Sequence, residues 1–206
     1  MQNTLIKTLT ISTMLASSSL LAGDSIIDSV GLNLGKSYID FSQSNNNGAI
    51  LLGNEPDSNF NAVELYTTLN PISNLCKEYG MKPYISYTYA KNSELKHQYL
   101  LAGVNKYYSL KDTKLEHYVG VLGGYGQMDW EYDPLNNSNS VNSDANSFVG
   151  GLQIGTNYPV TKNYALTINA KYLRHNYDTN LKTTNADAVV EHDSTASLTL
   201  GVEYSF

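Results

Sequence analysis

Period-two alternation of apolar and polar residues is the feature that most constrains this chain. The final segment, STASLTLGVEYSF, alternates throughout, and its last apolar positions are Leu200, Val202, Tyr204 and Phe206. Such alternation places unlike side chains on opposite faces of a β-strand. Seven earlier segments resemble it, at about residues 30–41, 60–70, 82–91, 98–108, 115–127, 147–159 and 163–177. The sequence therefore predicts eight strands, each near the roughly 9–11 residues that cross a bilayer at a tilt. In the first strand we expect a slip of phase near Lys36, at a bulge.

The connections between these strands alternate in length. Long polar segments follow strands one, five and seven, at residues 43–59, 128–146 and about 178–193. Short segments follow strands two, four and six, at residues 70–78, 109–114 and 159–163, and the link at 92–96 is a short exception at the long-loop end. Long loops at one end and short turns at the other are typical of a transmembrane β-barrel.

The two faces of the strands differ in a way that assigns the inside. The polar face is mostly Gly, Ser, Thr, Asn and Gln, which suit a narrow lumen, whereas a secreted lipocalin would carry Lys and Glu outside. The apolar face carries aromatic residues near both strand ends, and we expect these to form a girdle at each membrane interface: Phe148, Tyr158, Tyr164 and Tyr172. The fold class is therefore all-β, an eight-stranded antiparallel up-and-down transmembrane barrel.

Bulk properties exclude several other classes. The net charge of −6 disfavours nucleic acid, whose phosphates need a basic surface. The single cysteine allows no internal disulfide, and the four histidines show no metal-ligand spacing, so we expect no cofactor and no metal. Residues 1–23 carry Lys7, an apolar stretch and then small residues, which predicts an export signal peptide. The barrel domain is then residues 24–206.

Three ionisable residues fall on the predicted inner face: Glu64, Lys171 and Glu203. Ions inside a narrow barrel need partners or water, so we expect Lys171 to bridge acidic neighbours in a polar lumen network. Such a network can be packing that fills the lumen, or a gate on an ion path.

An enzymatic alternative depends on His192 and Ser194, two residues apart near the loop end of the last strand. A histidine can activate a serine nucleophile, and lipid A deacylases carry a His-x-Ser pair on a barrel. In those enzymes a longer stretch, with an orienting acid, follows the pair. We therefore expect no catalytic residues and no enzymatic activity.

The ending of the chain resembles the assembly signature of bacterial outer-membrane β-barrels, with Leu200, Val202, Tyr204 and Phe206 at the matching positions. The predicted mature chain resembles the small porin-family barrels typified by the OmpA transmembrane domain. The resemblance implies recognition by the barrel-assembly machinery, a monomer in contact with outer-membrane lipid and lipopolysaccharide, and a structural or narrow porin-like role. An adhesin or receptor acting through the long loops stays open as an alternative.

Overall fold

Eight antiparallel strands pair in chain order, and the last pairs back to the first to close a barrel. The computed structural model describes residues 26–45, 58–71, 73–93, 95–111, 113–130, 144–182 and 187–206, so the predicted signal peptide lies outside the described residues. The strands are β1 Ile27–Asn45, β2 Asn59–Leu69, β3 Met81–Lys91, β4 Leu95–Ser109, β5 Glu116–Trp130, β6 Asp144–Pro159, β7 Tyr164–Lys182 and β8 Asp187–Ser205. The predicted eight-stranded barrel is confirmed.

One short helix, α1 Asn74–Glu78, interrupts the connection between β2 and β3. Ser73 caps it, because its hydroxyl accepts a hydrogen bond of 3.2 Å from the backbone N–H of Cys76. Within the described part of the chain, no helix has the length and apolarity to cross a membrane.

The prediction of a third long loop at residues 178–193 is wrong. β7 continues to Lys182 and β8 begins at Asp187, and the two strands are paired along this stretch, for example Thr179 with Val190. Polar side chains made the segment resemble a loop. Pairing with a neighbouring strand satisfies its backbone N–H and C=O groups whatever the side chains are.

The predicted phase slip near Lys36 is also wrong. The register of β1 against β2 is continuous from Ser29 to Tyr38, so Lys36 shares the outer face with Leu34 and Tyr38. Its long side chain reaches sideways to Asn61, where Nζ donates to Oδ1 at 2.7 Å, so no bulge is needed to accommodate the charge.

The irregularity lies instead in β8, around Asp193, where the register shifts against both neighbouring strands. Thr195 and Thr199 are buried on one side of this point, and Val190 and His192 are buried on the other. The inward face of β8 therefore changes from odd-numbered to even-numbered residues.

The outer face of the barrel carries an exposed apolar band with aromatic residues at both edges. We call the end where β1 begins and β8 ends the turn end, and the opposite end the loop end. Tyr158, Tyr164 and Tyr204 lie at the turn end, and Tyr164 packs edge-on against Tyr204 with ring centroids 5.1 Å apart. At the loop end lie Tyr38, Tyr125, Tyr172 and Phe148, the last 85% exposed. Exposed aliphatic residues fill the space between: Leu34, Val121, Leu152, Ile154, Leu166, Ile168, Leu198, Leu200 and Val202.

An apolar surface this continuous is stable only against lipid. The spanning part of β7 is residues 164–172 and that of β8 is residues 196–204, which run between the aromatic edges. Both strands extend past the loop-end aromatics, and β1 continues with them to Asn45, paired with Ala188. These three neighbouring strands project farthest beyond the band, whereas β5 ends only five residues past Tyr125.

Candidate functional site

An ion pair between Glu64 of β2 and Lys171 of β7 lies inside the barrel. Both side chains are almost completely buried, although the two strands are not neighbours. Glu64 also accepts hydrogen bonds from Asn33 Nδ2 at 3.1 Å and from the Tyr84 hydroxyl at 2.7 Å. The Lys171 ammonium also reaches the Tyr84 hydroxyl at 3.1 Å and Ser86 at 3.5 Å. Four strands therefore supply one polar network across the lumen.

This network meets the conditions under which a buried charge is tolerated. Taking a carboxylate and an ammonium out of water costs several kcal/mol for each ion. The cost is offset only when the ions face each other and other polar groups satisfy the remaining donors and acceptors. Asn33, Tyr84 and Ser86 do so here.

Glu203 is not a partner of Lys171. It lies nearer the turn end, where it accepts hydrogen bonds from the Tyr66 hydroxyl at 2.9 Å and from Asn157 Nδ2 at 3.3 Å. At the same end Lys82 and Asp28 form an ion pair of 2.7 Å. Neither Lys82 nor Asp28 could be recognised from the sequence, since both lie at strand ends, where alternation is least informative.

Glycines on the inner face make room for the large tyrosines of this network. A Cβ on Gly31 would collide with the ring end of Tyr66, and a Cβ on Gly155 would collide with that of Tyr118. The tyrosine hydroxyls can therefore reach across the lumen, as Tyr118 does to Asn169 at 2.7 Å. Alternating large and small residues fills a barrel too narrow for two large side chains at one level.

An apolar layer follows on the loop-end side of the ion pair. Leu173 is the next inward residue after Lys171 on β7, and it belongs to one buried cluster with Leu101, Leu122 and Val149. The hydroxyl of Thr195, which pairs with Leu173, lies at the same height and is hydrogen-bonded to the Tyr99 hydroxyl at 2.9 Å.

Above the apolar layer, three histidines lie in the loop-end part of the lumen. His97 and His192 are fully buried with ring centroids 6.2 Å apart, and the ring of His97 lies 6.0 Å from that of Tyr177. His175 Nδ1 donates to the backbone oxygen of His192 at 2.8 Å, and His175 Nε2 lies 2.8 Å from the Thr195 hydroxyl.

The surroundings of these histidines favour the neutral imidazole. They lie past the loop-end aromatics, outside the spanning segments. Burial lowers the pKa of His175 to about 4 and that of His192 to about 3, and the nearby His175 contributes to the shift at His192. Regular alternation along β7 places His175 on the same inner face as Lys171. Only the change of inward face at Asp193 brings His192 into the cluster, and the alternation gave no sign of that change.

His192 and Ser194, the pair on which the enzymatic alternative depends, are not in contact. His192 points into the lumen, whereas Ser194 pairs with the exposed residues Asp40 and Arg174 and shares their outward face. Neither ring nitrogen of His192 has a hydrogen-bond partner among the described residues. Without a bond between them, His192 does not act as the activating base of Ser194.

Over the ranges that the structure describes, no group of three or more His, Cys, Asp or Glu side chains is arranged to hold a metal ion. The arrangement of the lumen is that of a packed interior, with the ion pair at its centre.

Comparisons with known proteins agree with this architecture. Residues 26–205 match the model of the putative OmpA-OmpF-like porin family. The structure resembles Neisserial surface protein A (TM-score 0.54, 15% identity), over 86% of this chain and 97% of that protein. It also resembles the outer membrane protein OprG from Pseudomonas aeruginosa (TM-score 0.56, 11% identity), over 89% of this chain and 98% of OprG. No curated protein sequence matches the chain significantly.

Proposed function

The chain belongs to the OmpA-OmpF-like porin family and is an outer-membrane β-barrel, and from this premise we propose that it is a structural barrel with a closed resting lumen. The observation that supports the proposal is the buried pair of Glu64 and Lys171, held by hydrogen bonds from several strands. An eight-stranded barrel is only wide enough for its own side chains. A filled lumen of this kind stiffens the barrel and admits no solute.

A narrow pore is the alternative within the same family, and conductance in planar bilayers separates the two. We expect the folded wild-type barrel to give no reproducible current steps. The double variant Glu64→Ser/Lys171→Ser, which removes the central side chains, should give small steps. Lys106→Ser changes an exposed lysine and is the matched control, which should stay silent. Reproducible steps from the wild-type protein would overturn the closed lumen.

We propose an orientation from the strand number, and a route of biogenesis from the family resemblance of the last strand. An even number of strands puts both termini on one side, which in such barrels is the periplasm, so the loop end faces outward. The signal peptide at residues 1–23 is removed on export, and the assembly machinery binds the last strand through Leu200, Val202, Tyr204 and Phe206. The barrel acts as a monomer, and sedimentation in detergent measures its mass.

Binding at the cell surface is a second candidate function, and the projection of β7, β8 and β1 beyond the apolar band favours it. These strands present a rigid base for the outer loops. Deleting residues 134–147, most of which lie outside the described residues, should leave the barrel folded. Loss of surface binding with an intact envelope would assign the function to the loops.

We propose that the protein is not an enzyme. The opposed directions of His192 and Ser194 support this, because a nucleophile and its base must be in contact. Mass spectrometry of lipid A from cells with and without the protein should give the same spectrum. A mass change that disappears in a Ser194→Ala variant would overturn the proposal.

A further inference from the structure

Two histidines of the loop-end lumen, His97 of β4 and His192 of β8, are fully buried and have unsatisfied ring nitrogens. Nε2 of His97 and both ring nitrogens of His192 have no hydrogen-bond partner among the described residues. His175 differs, because one of its nitrogens lies against the backbone oxygen of His192 and the other against the Thr195 hydroxyl. Buried polar groups are nearly always satisfied, and an unsatisfied one indicates a bound water or ion. His97 and His192 are therefore the two imidazoles of this cluster that are available to a ligand.

The separation of the two rings fits one metal ion shared between them. Their centroids are 6.2 Å apart and their planes are inclined by 54°. A metal bound to an imidazole nitrogen at about 2.0–2.1 Å lies about 3.2 Å from the centroid of that ring. Two rings that share one ion in a nearly linear arrangement therefore have centroids about 6.4 Å apart. Nδ1 of His97 lies 3.4 Å from the Tyr99 hydroxyl, which leaves Nε2 as its coordinating atom.

A thioether group lies beside this pair of imidazoles. Met128 of β5 is fully buried and pairs directly with His97, so both side chains point to the inner face. Directly paired residues have Cβ atoms about 4.5–5.5 Å apart, and the unbranched methionine side chain is flexible enough to turn toward an ion held by its neighbour. Thioether sulfur is a soft donor that selects copper(I), and imidazole also suits copper.

The surroundings of the three side chains favour a cation of low charge. Phe60 packs edge-on against His97 with ring centroids 4.9 Å apart, and Phe41 packs edge-on against His192 at 4.4 Å. All three donor groups are neutral, and in the part of the chain that the structure describes no carboxylate is hydrogen-bonded to either imidazole. The cost of burying an ion rises steeply with its charge. A monovalent ion is therefore less costly to hold here than a divalent one.

We propose that the loop-end lumen binds one copper(I) ion through an imidazole nitrogen of His97, an imidazole nitrogen of His192 and the thioether sulfur of Met128. The site differs from a cluster of three His, Cys, Asp or Glu side chains, because its third donor is a methionine. His175 is a positioning residue, since its hydrogen bond to the backbone oxygen of His192 fixes that strand. The ligands come from β4, β5 and β8, so only the closed barrel brings them together. The proposal depends neither on whether the central lumen conducts nor on whether the loops bind a partner.

The test titrates the folded, untagged barrel in detergent with copper(I), kept reduced by ascorbate under nitrogen, in competition with the coloured chelator bicinchoninate. We expect the wild-type protein to bind one equivalent. His97→Phe, His192→Phe and Met128→Leu should each bind at least about tenfold more weakly, or about 1.4 kcal/mol. The matched controls are His117→Phe and Met81→Leu, which change a part-buried histidine and the first residue of β3, and both should bind as wild type does. Heat-modifiable mobility on gels establishes that each variant is folded.

Two further measurements identify the ion and its ligands. X-ray absorption at the copper edge should show nitrogen and sulfur neighbours in the wild-type protein, and the sulfur signal should disappear in Met128→Leu. Zn²⁺ offered alone, against a zinc chelator, should bind at least about tenfold more weakly than copper(I), because a divalent ion lacks anionic ligands here.

The proposal fails if the wild-type protein binds no equivalent of copper(I), since the free nitrogens are then satisfied by water only. Unchanged affinity in any of the three ligand variants would overturn the assigned ligands, and so would Zn²⁺ binding as tight as that of copper(I). Should a histidine variant fail to fold, the absorption spectrum of the wild-type protein decides, because a spectrum without imidazole nitrogen and sulfur neighbours would overturn the site.

Discussion

Glu64 and Lys171 are 107 residues apart in the chain and form an ion pair across the barrel lumen. The pair joins β2 to β7, which share no backbone hydrogen bonds with each other. It therefore braces the barrel from inside, in addition to the ladder of hydrogen bonds around its wall. Because both ions are buried, removing either one should lower the stability of the barrel.

Replacing Lys171 with Met should destabilise the barrel by about 3–5 kcal/mol, because the substitution leaves the Glu64 carboxylate buried without its counter-ion. The double variant Glu64→Leu/Lys171→Met should recover much of this loss, since it leaves no buried charge. Urea unfolding in lipid vesicles measures the free energies, with exposed Lys106→Met as control. Additive effects of the two substitutions would show that the ions do not interact.

Replacing Gly31 with Ala should destabilise the barrel by about 1–3 kcal/mol through overpacking. The new methyl group would collide with the ring of Tyr66 and displace its hydroxyl from Glu203. Gly123→Ala is the matched control, because the nearest atom to its Cβ would be 3.9 Å away. The same unfolding experiment applies, and Tyr66→Ala in the Gly31→Ala background should remove the collision. An equal effect of the two glycine substitutions would contradict the packing argument.

Acid should weaken the barrel through the loop-end histidines. His175 and His192 have lowered pKa values in the folded protein, whereas in the unfolded chain they titrate near 6.5. Below pH 6.5 the unfolded chain therefore binds more protons, and stability falls as pH decreases towards about 4. The slope should reach up to about 1.4 kcal/mol per pH unit for each histidine.

The measurement for this prediction is the free energy of unfolding at pH 7, 5.5 and 4.5. His192→Phe should reduce the slope, because one titrating group is lost and a ring of similar shape remains to pack against Phe41. His117 is only part-buried and outside this cluster, so His117→Phe serves as control. A slope that is unchanged in His192→Phe would exclude His192 as a source of the pH dependence.

Replacing Phe206 with Ala should lower the amount of barrel in the outer membrane several-fold while leaving the purified protein able to refold. Phe206 is half exposed, and it contacts Tyr204 edge-on at 5.1 Å between ring centroids. Removing it costs little packing and removes the terminal aromatic of the proposed assembly signature. Quantitative immunoblots of membrane fractions and refolding yields in detergent measure the two effects. If the refolding yield falls as much as the amount of barrel in the outer membrane, the substitution acts on stability and not on assembly.

The number of strands and the outward positions near the C-terminus could be predicted from the sequence because side-chain direction in a strand depends only on local period. Leu200 and Val202 face outward for that reason alone, and both are exposed. Glu64 and Lys171 could be assigned to the inner face by the same argument. Their partners could not, since Asn33 and Tyr84 come from strands whose relative heights depend on how the barrel closes.

In the loop-end half of the molecule, the strand lengths and the directions of the side chains could be learned only from the tertiary structure. The length of β7 and β8 depends on their pairing with each other, and the change of face at Asp193 sends His192 into the lumen and Ser194 outward. Lys36 faces lipid without any slip in β1 because Asn61 of the next strand receives its ammonium. Period two is a property of one strand, whereas these contacts need the register between strands, which is set only when all eight have paired.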